Sequence, residues 1–296
     1  MTRVLVLGAA AVDTVVRVSV FPRTDDIVFP EEVLRIPGGS AANVAVALAR
    51  LGTDVSFLGT LGADADGETI RAAFLSERVD ASHLFSLPQG RTAGAFIAVN
   101  AKGERVMYSL GGDAVYTSVS QLDGVSFVSE ALYIAEAFTE VGLEAAKRAK
   151  ARGAKVFFAP GGVMCGFGLD ELLPLIQEAD AVLLSEPELE TLTGKPEAQL
   201  GAEALFSSGA KAVVLTQGAR GASLFQPGGV VSVPAANATV VDTTGAGDAF
   251  AGAYLFSELR GDAPETRLAF ASRCAAFACA RVGARSSPRL EEVEPE

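Results

Sequence analysis

Apolar residues fall along this chain in short runs separated by longer segments of mixed character. Val4 to Leu7 is a continuous apolar run closed by Gly8. Asp54 to Gly59, Ala131 to Ala135, Ala154 to Phe158, Ala181 to Leu184 and Ala212 to Leu215 read the same way. Such runs suit strands buried on both faces. Between them lie helical segments: the small-residue stretch opened by Gly38-Gly39 and closed by Gly52, then Gly67 to Arg78, Val141 to Arg152, Ala249 to Leu259 and Glu265 to Val282. The alternation predicts an α/β fold, a mostly parallel central sheet with helices on both faces.

Two stretches depart from that alternation. Thr14 to Val20 places Val16, Val18 and Val20 on one face, and Glu31 to Ile36 is extended. Thr92 to Asn100 and Glu104 to Leu110 read as strands joined around Lys102-Gly103. They predict a small second sheet, made by insertions at about 14–36 and 90–110 into one domain spanning 1–296. No repeat, low-complexity tract or long linker interrupts the chain, and the acidic tail Glu291 to Glu296 is expected to fray.

At 49% apolar and 20% charged, the chain can bury a large core. Its net charge of −12 argues against nucleic acid or an anionic membrane as the main partner. Cys165, Cys274 and Cys279 lack metal-like spacing and cannot all pair, which suggests a reducing, cytoplasmic setting. His83 is the only histidine, so no His-based triad is available. No apolar run is long enough to span a bilayer. Arg3, the run Val4 to Val12 and the alanines 9–11 have the outline of a short signal peptide, but a buried first strand is the reading taken.

The candidate chemistry centres on Val241-Asp242-Thr243-Thr244-Gly245-Ala246-Gly247-Asp248-Ala249-Phe250. Extended valines lead into a glycine turn and then a helix. Gly245 and Gly247 permit a sharp turn and a close approach to a ligand. Amides at a helix start lack intrahelical acceptors and sit at the positive end of the dipole, which suits phosphate. Asp248, beside such a site, could take a proton from an attacking hydroxyl, although an acidic residue at a helix start is also an ordinary cap. Asp13 follows the first strand, where open α/β sheets place ligands. Asn43, one turn into an apolar helix, needs a polar partner. Acids around Glu188, after a strand end, could organise hydrated Mg²⁺ or simply begin a helix.

The string from Asp242 to Phe250 resembles the C-terminal signature of the ribokinase-like (PfkB) carbohydrate kinases, and Gly38-Gly39-Ser40-Ala41-Ala42-Asn43 resembles their N-terminal one. The resemblance runs the full length. It implies that Asp248 is the catalytic base and that the Gly245, Ala246 and Gly247 amides form an anion hole. It also implies sugar contacts from Asp13, Gly38, Gly39, Asn43 and Glu136, and nucleotide contacts from Thr216, Gly218 and Gly221. Glu188 becomes the Mg²⁺-linked acid, acting through water, and Asp242 and Thr244 become K⁺ ligands. The small sheet becomes a lid through which such kinases often dimerise. Three positions differ from the family pattern: Ser40 where ribokinases often carry Lys, Ser185 in place of Asn, and Ala159 where Asp or Asn commonly precedes the proline.

The implied activity is transfer of the γ-phosphoryl group of Mg-ATP to a hydroxyl, of primary type, on a small sugar. A nucleoside kinase on the same scaffold and a non-catalytic sugar- or nucleotide-binding regulator are the alternatives. A Rossmann dehydrogenase is disfavoured by the missing Gly-x-Gly-x-x-Gly after the first strand.

Overall fold

The computed structural model describes residues 3–113 and 117–294. In chain order the strands are β1 (Val4–Gly8), β2 (Ala11–Arg17), β3 (Glu32–Gly38), β4 (Val55–Gly62), β5 (Asp80–Leu87), β6 (Gly94–Val99) and β7 (Arg105–Gly111). β8 (Ala131–Ala135), β9 (Lys155–Ala159), β10 (Ala181–Ser185), β11 (Val213–Thr216), β12 (Ala222–Gln226) and β13 (Gly229–Val233) follow. The helices are α1 (Ser40–Arg50), α2 (Ala65–Ser76), α3 (Thr139–Lys150), α4 (Gly161–Cys165) and α5 (Leu169–Glu178). They continue with α6 (Glu186–Thr193), α7 (Ala198–Ser207), α8 (Ala246–Leu259), α9 (Pro264–Cys279) and α10 (Leu290–Val293).

β1 lies inside the main sheet with all five residues buried. Its side chains alternate between two cores. Val4 and Val6 pack with residues of α1, α8 and α9, whereas Leu5 and Leu7 pack with residues of α3, α5, α6 and α7. A strand that must satisfy apolar layers on both sides has no place for polar residues, which is why it reads as an unbroken run. The main sheet has the order β13-β12-β11-β10-β9-β8-β1-β4-β5 among the described residues. β11 through β5 in that order are mutually parallel, and β12 and β13 are antiparallel additions at one edge. After β1 the chain builds outward through β4 and β5, then returns to β8 on the other side. The carboxyl ends of β1 and β8 therefore flank a topological switch point, where open α/β sheets leave a crevice.

Small residues let α1 lie close to β1 and α8. A Cβ on Gly252 of α8 would stand 2.8 Å from the Ala47 Cβ of α1. That tight crossing brings the N-terminal turns of α1 and α8 together.

The smaller sheet has the order β3-β2-β6-β7. Both anticipated segments contribute, but with shifted bounds. β2 begins at Ala11 and ends at Arg17, leaving Val18 and Val20 beyond it, so Asp13 lies in a strand opposite Ile36 and not in a loop. Only Ala9 and Ala10 lie between β1 and β2, so the chain passes from one sheet to the other in two residues. Val33, Met107, Tyr108 and Leu110 leave apolar side chains exposed on this sheet.

Other differences are local. α8 starts at Ala246 and α9 ends at Cys279. β5, β12, β13, α5 and α7 are elements without a counterpart in the sequence reading. His83 sits in β5. Within the acidic tail, residues 291–293 are helical and not frayed: the Glu292 carboxylate accepts the Arg289 amide, and Glu294 pairs with Arg260 at 2.9 Å. Residues 295 and 296 lie outside the described ones. No described helix is long and apolar enough to cross a membrane.

Candidate active site

The Asp242–Asp248 turn is built by backbone constraints. Gly245 caps α8 at φ +77°, and a Cβ there would collide with the Ala284 carbonyl. Only glycine meets both conditions. Asp242 shapes the approach: its Oδ1 accepts the Thr244 amide at 2.9 Å and its Oδ2 accepts the Gly283 amide at 2.9 Å. Burial works against this carboxylate's charge, but the Gly283 amide, the Thr244 hydroxyl and amide and the Arg105 charge together outweigh it and hold its pKa below the usual value. The turn exposes the first amides of α8 in the order Ala246, Gly247, Asp248. Ala246 N–H already donates to Thr243 O at 3.3 Å.

Asp248 is the meeting point of α8 and α1. Ser40 Oγ donates to Asp248 Oδ1 at 2.7 Å, and Asn43 Nδ2 donates to Asp248 Oδ2 at 2.8 Å. Ser40 and Asn43 are three apart and share one face of α1. The carboxylate is half-buried by exposed area yet ringed by protein atoms. Burial pushes its pKa up to about 6; the Asn43 and Ser40 donors and the Arg285 charge oppose that rise, and Glu188 adds to it.

Asp13 and Glu136 come from the two sides of the switch point. Asp13 is buried, and burial raises its pKa against a backbone hydrogen bond from Ala95 and the charge of Arg285. Gly38 lies against it; a Cβ there would run into the Asp13 carboxylate. Gly39, at φ +90°, caps α1 where a Cβ would stand 2.7 Å from Ala9 O. Glu136 follows β8 at φ +51°, an uncommon conformation for a side-chain-bearing residue. Burial pushes its pKa up to about 7, with Asp248, Glu188 and Asp13 adding to the rise.

Two cavities meet at the turn. One of about 150 Å³ is lined by Ser40, Tyr133, Ala159, Glu188, Gly247 and Asp248 among others. One of about 520 Å³ is lined by Thr216, Gly218, Gly221, Gly247, Ser272 and Ala275 among others. Thr216 and Gly247 face both. Gly221 is also held by its surroundings, since at φ +106° a Cβ would strike the Val233 carbonyl.

Glu188 both lines the smaller cavity and caps α6, its Oε2 accepting the Ser185 amide at 2.7 Å. No cluster of three potential metal ligands occurs among the described residues. A Mg²⁺ ion that arrives with phosphates needs few protein carboxylates, so this donor set fits one. The K⁺ set fits less well. Asp242 is occupied by two amides, and Thr244 Oγ1 accepts from Arg105 Nη1 at 2.8 Å, a guanidinium in place of a cation's ligand shell.

Two residues at the centre escaped the sequence reading. Ser40 was noted only as a departure, yet it bonds Asp248; its spacing of three from Asn43 was the available signal. Arg285 donates through Nε to Asn43 Oδ1 at 3.2 Å and through Nη2 to Gly38 O at 3.4 Å. Nothing in its local sequence points there.

The pfkB family carbohydrate kinase model matches residues 1–291. The chain is 31% identical over 300 residues to a ribokinase of Haemophilus influenzae, covering 97% of this chain and 96% of that protein. It is 30% identical over 296 residues to an ATP-dependent ribose-1-phosphate kinase of Halopiger xanaduensis, covering 99% and 97%. The structure of Arabidopsis thaliana ribokinase complexed with ribose and ATP superposes with a TM-score of 0.87 at 26% identity, covering 99% of this chain and 98% of that one. The chain belongs to the pfkB family of carbohydrate kinases.

Proposed function

We propose that this kinase transfers the γ-phosphoryl group of ATP to a hydroxyl of a small sugar, with Asp248 as general base. The observation that carries the reading is the position of Asp248: on the wall of the smaller cavity, in the first turn of α8, behind the glycine turn that separates it from the larger cavity. ATP would lie along Thr216, Gly218 and Gly221 in the larger cavity, with its γ-phosphate at Gly247. The sugar would rest near Asp13, Gly38, Gly39, Asn43 and Glu136. Ser40 and Asn43 hold the two oxygens of the carboxylate in place, and Asp248 would take the acceptor hydroxyl's proton as transfer proceeds. The Gly245, Ala246 and Gly247 backbone would stabilise charge on the phosphoryl oxygens, which is the larger part of catalysis in such transfers. Glu188 would hold hydrated Mg²⁺, whose charge offsets that of the phosphates. No step is assigned to K⁺, whose binding at Asp242 and Thr244 would require Arg105 to leave Thr244.

The smaller sheet would act as a lid and as the face of a homodimer, supported by the exposed Val33, Met107, Tyr108 and Leu110. Light scattering at micromolar concentration should give twice the chain mass; a clean monomer mass would refute the dimer. Three free cysteines are consistent with a cytoplasmic setting.

A nucleoside is the second acceptor reading. Ala159 and Gly161 line the smaller cavity and bring no polar side chain of their own. The test is a panel of free sugars, sugar phosphates and nucleosides with Mg-ATP, scored for ADP release. Turnover of a sugar supports the first reading and turnover of nucleosides alone supports the second. Ligand binding without turnover of any compound would contradict both.

A further inference from the structure

We infer that Arg285 is a positioning residue for the phosphoryl transfer: its guanidinium fixes the orientation of the Asn43 amide, and through that amide it holds the Asp248 carboxylate. The inference rests on the reading of Asp248 as base.

A guanidinium can only donate hydrogen bonds. Arg285 Nε therefore demands the oxygen of the Asn43 amide, at 3.2 Å, and leaves the NH₂ group for Asp248 Oδ2 at 2.8 Å. An ionised Asp248 also favours that orientation by itself. During turnover, however, Asp248 carries the proton it has taken and becomes a donor. The amide could then rotate and present its oxygen to the new O–H, trapping the proton. Arg285 opposes that rotation at the step where the carboxylate no longer does.

The guanidinium is itself held on several sides. Nη2 donates to Gly38 O at 3.4 Å, and the group stands 5.7 Å from the Phe74 ring centroid. Its own carbonyl accepts Arg50 Nη1 at 2.7 Å; Arg50 also bonds Ser287 O and pairs with Glu77. The segment after α9 is thus clamped to the C-terminal end of α1, while the Arg285 side chain reaches the N-terminal end of the same helix. Nη1 is buried with no hydrogen-bond partner among the described residues, a cost that an inert surface arginine would not carry.

The surrounding charge also matters. Glu77, Arg50, Asp13 and Asp248 face Arg285, and burial brings its pKa down to about 10, so it remains charged at neutral pH. Asp248 faces Glu188 and Arg285, with Glu136 and Tyr133 close enough to feel its charge. Arg285 is the cation in that group, and it favours ionised Asp248 before the reaction begins.

The experiment compares Arg285→Met, Arg285→Lys and Asp248→Asn on the best substrate, with kcat recorded against pH and Tm measured for each. Arg285→Met should lose roughly ten- to a hundredfold in kcat. Its acid limb should move to higher pH, because a positive charge near Asp248 is gone, and KM for ATP should stay within about threefold. Arg285→Lys keeps charge without the fork, so kcat should fall while the acid limb stays near that of the wild type. Wild-type kcat and acid limb in Arg285→Met would overturn the inference, as would a lower Tm with both kinetic features intact. If Arg285→Met does not fold, Arg285→Lys decides: wild-type kcat overturns the inference. Retained kcat in Asp248→Asn would remove the base and this inference with it. An inactive Asp248→Asn beside a wild-type-like Arg285→Met would remove the inference alone.

Discussion

Asn43 Nδ2 donates to Asp248 Oδ2 at 2.8 Å, joining the first turn of α1 to the first turn of α8 across 205 residues of sequence. With Ser40 on the other oxygen, both carboxylate oxygens are held before any substrate arrives. A base fixed in this way needs little reorganisation when the hydroxyl enters, which is where orientation contributes to rate.

Asp13→Ala should raise KM for the sugar and leave KM for ATP nearly unchanged. The carboxylate is buried, is not part of the larger cavity's lining, and lies where only a glycine at position 38 leaves it room. Loss of a charge-assisted hydrogen bond corresponds to roughly 1.5–3 kcal/mol, or about one to two decades in KM. Steady-state kinetics on the best substrate decide it, and an unchanged sugar KM removes Asp13 from the binding site.

The two glycines of the turn should respond differently to alanine. At Gly245 the added Cβ meets the Ala284 carbonyl in a left-handed conformation, so Gly245→Ala should lower Tm as well as activity. At Gly247 a Cβ meets no atom within 4 Å beyond its own helix turn among the described residues, yet the residue faces both cavities. Gly247→Ala should keep its Tm and lose kcat or ATP affinity, because the methyl occupies ligand space. Calorimetry beside kinetics tests this; a Gly247→Ala enzyme with full activity would show that no phosphate passes there.

Two raised carboxyl pKa values set the pH dependence. Asp248 moves from 3.8 to about 6 and Glu136 from 4.5 to about 7. A base must be ionised to work, so kcat should fall as pH drops through about 6. Stability runs the other way. The folded state binds these protons more tightly than the unfolded one, so their contribution is greatest at low pH and is lost as pH rises through the folded values. Tm measured across this window should decline less for Glu136→Gln/Asp248→Asn than for the wild type. Parallel Tm profiles would show that neither carboxylate is strained by burial.

The parts legible in sequence were those whose cause is local. β1 reads as an apolar run because it must serve two cores, and the turn before α8 reads from glycines because a Cβ at Gly245 has nowhere to go. β13 is the edge strand and most of its residues are exposed, so it shows no buried apolar run. Pro174 and a glycine at the N-cap obscured α5. Asp13 was found, but its strand reads from sequence as starting one residue later, at Thr14, because only Ala9 and Ala10 separate the two sheets. Ser40 and Arg285 act on partners 208 and 242 residues away, and no local pattern encodes such a contact.

The kcat of Asp248→Asn on the best substrate separates a general base from a helix cap at this position. The amide is nearly isosteric; its oxygen can still accept from Asn43 while its NH₂ donates to the Ser40 hydroxyl, which turns acceptor, so fold and ligand binding should persist, and relief of the buried charge should keep Tm at or above the wild-type value at neutral pH. It cannot take the proton, and loss of general-base catalysis is typically about 10²–10⁴-fold. A fall of that size with KM for ATP within a few-fold is the predicted result. Near wild-type kcat in Asp248→Asn would contradict the account, leaving Asp248 a helix-start residue and the reaction without its base.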